Sequence, residues 1–158
     1  MGSGRTKAEA GAALALALRW LARRQHAEAE LEAKLRDRGV SAEATATALA
    51  RLRELGYLDD REFARSLVTE RSRRRGPALI AAELAARGIA PELATEVLAE
   101  VGRDRQMETA RRLVARRRGR RARDLAAWLL QQGFPPDVVQ EVLGEGALDP
   151  FPDESGPA

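Results

Sequence analysis

Two clusters of arginine are the residues in this chain with the clearest capacity for binding chemistry. The first comprises Arg71, Arg73, Arg74 and Arg75. The second comprises Arg111, Arg112, Arg116, Arg117, Arg120 and Arg121, and no acidic residue interrupts it. Guanidinium groups bind phosphates and carboxylates through paired, planar hydrogen bonds. The clusters therefore predict a surface that binds an anionic partner, either nucleic acid or an acidic protein.

The alternative interpretation of both clusters is a solvated basic face in an arginine-rich chain. Densely packed like charges repel each other without an anionic partner, which favours the binding interpretation. Both clusters also follow the first helix of successive predicted repeats, so we expect them to lie along one side. Trp20 and Trp128 are expected to pack in the core, so base stacking is not the predicted mode. The prediction is salt-sensitive, sequence-independent contact with a nucleic-acid backbone.

Residues that could support catalysis or metal binding are few. The chain has no cysteine and one histidine, His26, which is expected to be an N-terminal capping or surface residue at the start of a helix. Asp59 and Asp60 could hold a metal or act as an acid–base pair, but helix capping explains them more simply. Serines and threonines have no neighbouring base, and no phosphate-binding glycine loop is present. We therefore predict no enzyme activity, no catalytic residue, no metal and no cofactor.

Charge is distributed unevenly along the 158 residues. The chain has 27 basic and 24 acidic residues, and its last basic residue is Arg123. The excess of positive charge thus lies before Asp124, which fits an acidic partner for most of the chain. No apolar run is long enough to span a membrane, and no signal pattern opens the sequence. A cytoplasmic protein is expected.

Four predicted helix ends share one signature, a glycine followed at once by a large apolar residue. The glycines are Gly39, Gly56, Gly88 and Gly133, and a leucine precedes each of them by four residues. This spacing is typical of a Schellman cap, in which glycine adopts the left-handed conformation. Three of the caps recur at intervals of 49 and 45 residues, which indicates a three-fold helical repeat.

The predicted fold is all-α, with three tandem three-helix repeats stacked into an elongated, curved array. The first helix is expected near Ala8–Arg24, with Leu14, Leu18 and Leu21 on one face. The predicted divisions are a flexible N-terminus (1–7), repeat one (8–58), repeat two (59–102), repeat three (103–143) and a disordered acidic tail (144–158).

The junction between repeats one and two is the most completely specified turn. Gly56 should end one helix, and Tyr57 should fold back onto its last turn. Asp59 should cap the next helix, while Leu58 packs against Phe63. These residues are therefore predicted to have a structural role.

Three blocks of residues closely resemble the signature of the RecX regulators of the RecA recombinase. They are Leu55-Gly56-Tyr57-Leu58-Asp59-Asp60 with Phe63-Ala64, then Arg71-Ser72-Arg73-Arg74-Arg75-Gly76-Pro77, and the opening Arg24-Gln25-His26. The resemblance extends over about residues 14–143. One departure is Gln131-Gln132, where that family often has basic residues before the third glycine.

The resemblance implies a monomeric, non-enzymatic negative regulator of homologous recombination and the SOS response. Such a protein binds RecA and its filament on single-stranded DNA, lodges in the filament groove, and restrains ATP turnover, strand exchange and co-protease activity. Double-stranded DNA is a second candidate ligand. The alternatives are a sequence-independent DNA-binding protein, a helix-turn-helix transcriptional regulator and an α-solenoid scaffold.

Overall fold

A computed structural model describes residues 3–144, 147 and 148, and these residues form nine α-helices in three groups of three. The helices are α1 (Ser3–Leu21), α2 (Glu28–Asp37), α3 (Ala42–Glu54), α4 (Asp60–Arg71), α5 (Pro77–Ala86), α6 (Pro91–Ala99), α7 (Arg103–Ala115), α8 (Ala122–Gln131) and α9 (Pro136–Leu143). The prediction of an all-α chain built from three-helix repeats is confirmed. The stacking of the repeats into an elongated array stays a prediction.

All four predicted glycine caps adopt the left-handed conformation, with φ of 77°, 75°, 77° and 87° at Gly39, Gly56, Gly88 and Gly133. In each cap the amide of the residue after the glycine donates a hydrogen bond to the carbonyl oxygen of the leucine that lies four residues before the glycine. The N···O distances are 3.1, 2.9, 3.1 and 3.2 Å. This is the six-to-one bond of the Schellman motif, so local chemistry ends these helices where the sequence predicted.

The chain divides into two compact units that share the middle group of helices. The first contains the described residues up to Ser66 together with Leu84–Ala94. The second contains Leu67–Glu83 together with the described residues from Thr95 onwards. Helices α4, α5 and α6 each contribute residues to both units. The two units are described separately below.

In the first unit, α1 and α2 pack against α3 around a stripe of small residues on α1. Ala10, Ala13 and Ala17 are almost completely buried, whereas Leu14, Leu18 and Leu21 lie half-buried at the edge of the cluster. The leucines that the sequence placed on one face of α1 therefore pack against the cluster, but at its edge. Small side chains allow helix axes to approach closely, so alanine occupies the centre of the contact. Helix α1 also starts and ends earlier than predicted.

In the second unit, α9 packs against both α7 and α8. The cluster is built from Met107, Ala110, Leu129, Phe134, Val138 and Val139, among others. Ala147 is also buried in it, and with Leu148 forms a turn beyond the last helix. Packing thus continues beyond residue 143, where the third repeat was predicted to end. The rest of the predicted acidic tail, apart from Gly144, lies outside the described residues.

A close backbone contact joins the start of α5 to the end of α8 within the second unit. The amide of Gly76 donates to the carbonyl oxygen of Gln132 at 2.8 Å, and the amide of Ala78 donates to that of Gly133 at 3.1 Å. A Cβ atom at position 76 would lie 2.2 Å from the carbonyl carbon of Gly133. Only glycine fits at this position, because the obstruction is backbone.

A related contact occurs within the first unit, where Gly88 packs against Ala29 near the start of α2. Here the residue before the glycine is Arg87, and its guanidinium lies 3.4 Å from a carboxylate oxygen of Glu30. In the second unit the residue before the glycine is Gln132, and it faces the start of α5 through its backbone. The departure at Gln131-Gln132 therefore coincides with a joint made by backbone hydrogen bonds.

Candidate functional site

The first arginine cluster lies where α4 ends and the chain turns towards α5. The amides of Arg74 and Arg75 both donate to the carbonyl oxygen of Arg71 at 2.9 Å, which closes the last turn. The side chains of Arg73 and Arg74 are exposed. The turn therefore presents two guanidinium groups to solvent from a backbone that is hydrogen-bonded.

The other two arginines of this cluster bind a carboxylate of the same unit. Arg71 donates to both carboxylate oxygens of Glu83, at 2.9 and 3.0 Å, and contacts Glu70 at 2.6 Å. The guanidinium of Arg75 reaches Glu83 at 3.3 Å. The hydrogen bond to Glu83 raises the pKa of Arg71. These two arginines, which the sequence placed in the binding surface, therefore connect α4 to α5.

Helix α7 is fixed beside this turn by two side chains that bind backbone carbonyls. The hydroxyl of Thr109 donates to the carbonyl oxygen of Ser72 at 3.1 Å. The guanidinium of Arg112 donates to the carbonyl oxygen of Arg73 at 2.8 Å. Carbonyl groups at a helix C-terminus have no partner within the helix, so these bonds satisfy them. They also bring part of the second arginine cluster next to the first.

The turn and α7 together form a cleft of about 780 Å³. Its charged lining comprises five arginines, Arg73, Arg74, Arg105, Arg112 and Arg116, and two acidic residues, Asp104 and Glu108. Five guanidinium groups facing two carboxylates give the cleft an excess of positive charge. Within the part of the chain that the structure describes, Arg73, Arg74, Arg105 and Arg116 form no ion pair.

Arg105 belongs to this cleft although the sequence did not place it there. It precedes the uninterrupted run that begins at Arg111, and acidic residues flank it. The available signal was helical periodicity, because residues 105, 109, 112 and 116 share one face of α7. A search for charge runs misses this face, whereas a search for charges at helical spacing finds it.

The remaining arginines of the second cluster lie outside the cleft lining. Arg117 stacks on the ring of Trp128, with its guanidinium carbon 3.9 Å from the ring centroid. Arg111, Arg120 and Arg121 are exposed, and Arg121 is the residue before α8. Of the ten arginines that the sequence predicted as binding residues, four therefore line the cleft, namely Arg73, Arg74, Arg112 and Arg116.

Both tryptophans pack against core clusters, as the sequence predicted. Trp20 and Trp128 are half-buried, and each carries a cation over its ring. The ammonium of Lys34 lies 4.9 Å from the centroid of Trp20. On each tryptophan, a ring face that could stack on a base is therefore occupied in part by a side chain of the protein itself.

The predicted structural turn is confirmed in its capping but not in the position of its aromatic ring. The amide of Glu62 donates to the carboxylate of Asp59 at 3.0 Å, and Leu58 and Phe63 are buried. Tyr57 is 56% exposed, so the prediction that its side chain folds back was wrong. Leu58, the next residue, is buried instead.

Asp60 caps a different helix from its neighbour. Its carboxylate accepts a hydrogen bond from the amide of Glu28 at the start of α2, at 2.9 Å. Burial raises the pKa of Asp60, although the hydrogen bond from Glu28 opposes this rise. The two acidic residues thus have separate structural roles.

His26 is buried, with 5% of its surface exposed, and the residue that caps α2 is Ala27, so the expectation of a capping or surface residue was wrong. Its Nδ1 atom has no hydrogen-bond partner and lies 3.4 Å from a carboxylate oxygen of Glu30. Burial and the charges of Arg24 and Lys34 lower the pKa of His26, while Glu30 opposes them. The described residues contain no group of histidine and acidic side chains that could hold a metal.

No helix among the described residues combines the length and the apolar character that a membrane span requires.

Family models match the first two groups of helices. The model described as "RecX, first three-helix domain" matches residues 13–52, and the one described as "RecX, second three-helix domain" matches residues 59–98. The two matches together cover about half of the chain.

Curated relatives carry the name "Regulatory protein RecX". The protein of Thermus thermophilus is 45% identical over 94 residues, which cover 59% of this chain and 63% of the relative. That of a Geobacillus species is 37% identical over 105 residues, which cover 60% of this chain and 39% of the relative. That of Streptomyces coelicolor is 32% identical over 115 residues, covering 64% and 61%. The matched region therefore spans less than two thirds of each of these relatives.

Two solved structures share the fold. The crystal structure of RecX from Lactobacillus salivarius superposes with a TM-score of 0.80 at 21% identity, over 87% of this chain and 96% of that one. A second crystal structure of a regulatory protein RecX gives a TM-score of 0.76 at 23% identity, over 87% and 73%. At these identities the likeness concerns the fold.

Proposed function

Because the chain belongs to the RecX family of regulatory proteins, we propose that it is a negative regulator of the RecA recombinase. In this proposal it binds RecA and lodges in the groove of the filament that RecA forms on single-stranded DNA. It inhibits ATP hydrolysis, strand exchange and co-protease activity, and so restrains homologous recombination and the SOS response. It acts in the cytoplasm as a monomer without a cofactor.

The arginine-lined cleft of the second unit is the observation that carries the proposal. None of its five guanidinium groups forms an internal ion pair among the described residues, although Arg112 donates a hydrogen bond to the backbone of Arg73. Their mutual repulsion favours a bound anion, and a nucleoprotein filament offers both phosphates and carboxylates. The proposed contact is therefore salt-sensitive and independent of base sequence.

The helix-turn-helix alternative requires a recognition helix that reads base edges in the major groove. The short third helices of the middle and last groups carry acidic residues, Glu92 and Glu96 on α6, and Asp137 and Glu141 on α9. Arg103 forms ion pairs with both acidic residues of α9. Acidic helices of this kind are poorly suited to contact DNA, which favours backbone contact through the cleft.

The test is the DNA-dependent ATPase of RecA, measured with and without this protein at about 50 and about 200 mM salt. The proposal predicts inhibition at low salt that weakens at high salt. A scaffold without RecA contact predicts unchanged ATP hydrolysis at both salt concentrations, and this result would refute the proposal. Footprinting on random and selected duplexes separates the transcriptional alternative, which predicts a preferred duplex sequence.

A further inference from the structure

The four glycine caps provide an internal comparison that singles out one surface of the first unit. The residue after the glycine is buried in two caps, with 3% exposure for both Ile89 and Phe134, and is half-buried at Val40. Tyr57 is 56% exposed in a cap with the same backbone hydrogen bonds. The cap motif therefore does not require an exposed ring, and the exposure of Tyr57 needs another explanation.

The turn that carries Tyr57 is hydrogen-bonded and is followed by a buried residue. The amide of Tyr57 donates to the carbonyl oxygen of Leu52 at 2.9 Å, and Leu58 immediately after it is buried. Leu55, on the other side of the glycine, is 45% exposed. A large aromatic side chain on a rigid backbone loses little conformational entropy on binding, which is the usual character of an interface anchor.

A small recess lies beside the ring of Tyr57. Its volume is about 90 Å³, about three times the volume of a water molecule in the liquid. Its lining includes the apolar residues Leu21 and Phe63 and the acidic residues Asp59 and Glu62. The lining also includes His26, whose pKa burial lowers. The lining of the recess therefore combines apolar residues with two acidic residues.

We propose that the Tyr57 turn and its recess form a protein-docking site that receives a lysine or arginine side chain of the partner. The aliphatic stem of that residue lies against Tyr57 and Leu21, and its charged head reaches Asp59 and Glu62. Such a cation is favoured both by the quadrupole of the aromatic ring and by the negative charge of the carboxylates beside it. This site is chemically opposite to the arginine cleft, so the two surfaces select different parts of a partner.

This inference rests on the proposed function, under which the lysine or arginine belongs to a RecA protomer. The DNA of a filament cannot supply a cation, so the Tyr57 site contacts protein while the cleft contacts anionic groups. The two sites together would let one chain recognise a protein–DNA assembly in preference to either component alone, because linked contacts strengthen each other.

The experiment measures binding of the full-length protein to RecA filaments assembled on single-stranded DNA, and separately to the same DNA without RecA. The variants are Tyr57→Ala and Glu62→Gln. The matched control is Leu130→Ala, which truncates a 39% exposed apolar side chain of the other unit. Thermal unfolding of each variant checks that the exposed substitutions leave folding unchanged.

We expect Tyr57→Ala to weaken filament binding about tenfold, equivalent to about 1.4 kcal/mol, and Glu62→Gln to weaken it several-fold. Binding to free DNA should not change, and Leu130→Ala should bind filaments like the wild type. Filament binding by both variants within twofold of the wild type would overturn the docking site and leave the proposed function intact. Failure of the wild type to bind RecA filaments would overturn both.

Discussion

The guanidinium of Arg112 donates a hydrogen bond to the backbone carbonyl oxygen of Arg73 at 2.8 Å. This contact joins the two arginine clusters, because it fixes α7 beside the last turn of α4. It also satisfies a carbonyl that the helix itself leaves without a partner. Arg112 therefore has a structural role, while its neighbours in the cleft remain available to a ligand.

The salt dependence of DNA binding should depend on the cleft arginines that form no ion pair. Replacing Arg74 and Arg116 together by glutamine removes two potential phosphate contacts. The slope of log K against log salt should then decrease by about 1.4 for single-stranded DNA. The control is the double variant Arg19→Gln with Arg23→Gln, which removes the same charge from the other unit. Its slope should equal that of the wild type within error. Equal decreases for both pairs would indicate that net charge, and not the cleft, controls binding.

Arg71 should be important for stability and unimportant for binding. Replacing it by glutamine removes the two-point contact with Glu83, and we expect the free energy of unfolding to fall by about 1 kcal/mol. Arg74→Gln should change it by less than about 0.5 kcal/mol. Chemical denaturation of the two variants measures this difference. If instead Arg71→Gln reduces the salt slope and leaves stability unchanged, its ion pair with Glu83 does not persist in solution.

Sequence reasoning identified the features that depend on neighbouring residues. Left-handed glycines, the six-to-one hydrogen bonds and the cap at Asp59 all follow from interactions within about six positions, so spacing alone predicts them. The partition of the arginines depends on long-range contacts. Arg71 and Arg75 differ from Arg73 and Arg74 only because Glu83, on another helix, faces the first pair.

Burial was predicted incorrectly at two positions. Tyr57 and His26 were both assigned to the wrong environment, because exposure depends on which neighbouring residue occupies the space beneath. Leu58 is buried next to Tyr57 in the chain, and His26 is buried in the segment between α1 and α2. The alanine stripe of α1 was missed for a related reason, since hydrophobic size is a poor guide where two helices approach closely.

Gly76→Ala should destabilise the protein markedly. The added Cβ would lie 2.2 Å from the backbone of Gly133, which cannot move without breaking the joint between α5 and α8. We expect a loss of about 1–3 kcal/mol in the free energy of unfolding. Gly11→Ala is the matched control, because a Cβ there meets nothing within 4 Å. In the interior of α1 this substitution should stabilise by about 0.5–1 kcal/mol. A Gly76→Ala protein as stable as the wild type would contradict the close contact.

The stability of the protein should decrease as the pH falls below about 6.5, the pKa of an unperturbed histidine. Burial, with Arg24 and Lys34, lowers the pKa of His26, so the folded state binds a proton less readily than the unfolded state. The stabilisation is complete above the unfolded pKa and is lost as the pH falls through the folded value. The slope contributed by one group is at most about 1.4 kcal/mol per pH unit.

His26→Gln isolates this contribution, because the variant cannot titrate at this position. Unfolding measured between pH 5 and 7.5 should show a flatter profile for the variant than for the wild type. Asp60 acts in the opposite direction, since burial raises its pKa. That effect is present in both proteins and cancels in the comparison. Parallel profiles would show that His26 does not titrate differently in the two states.

The most direct test of the proposed regulation compares arginines inside the cleft with arginines outside it. The measurement is inhibition of the RecA ATPase on single-stranded DNA by the wild type and by two triple variants. One variant replaces Arg73, Arg74 and Arg116 by glutamine, and the other replaces Arg111, Arg120 and Arg121. The cleft variant should require at least about tenfold more protein for half-inhibition, because three charged contacts are lost, whereas the second variant should match the wild type. Full inhibition by the cleft variant would contradict the role assigned to the cleft.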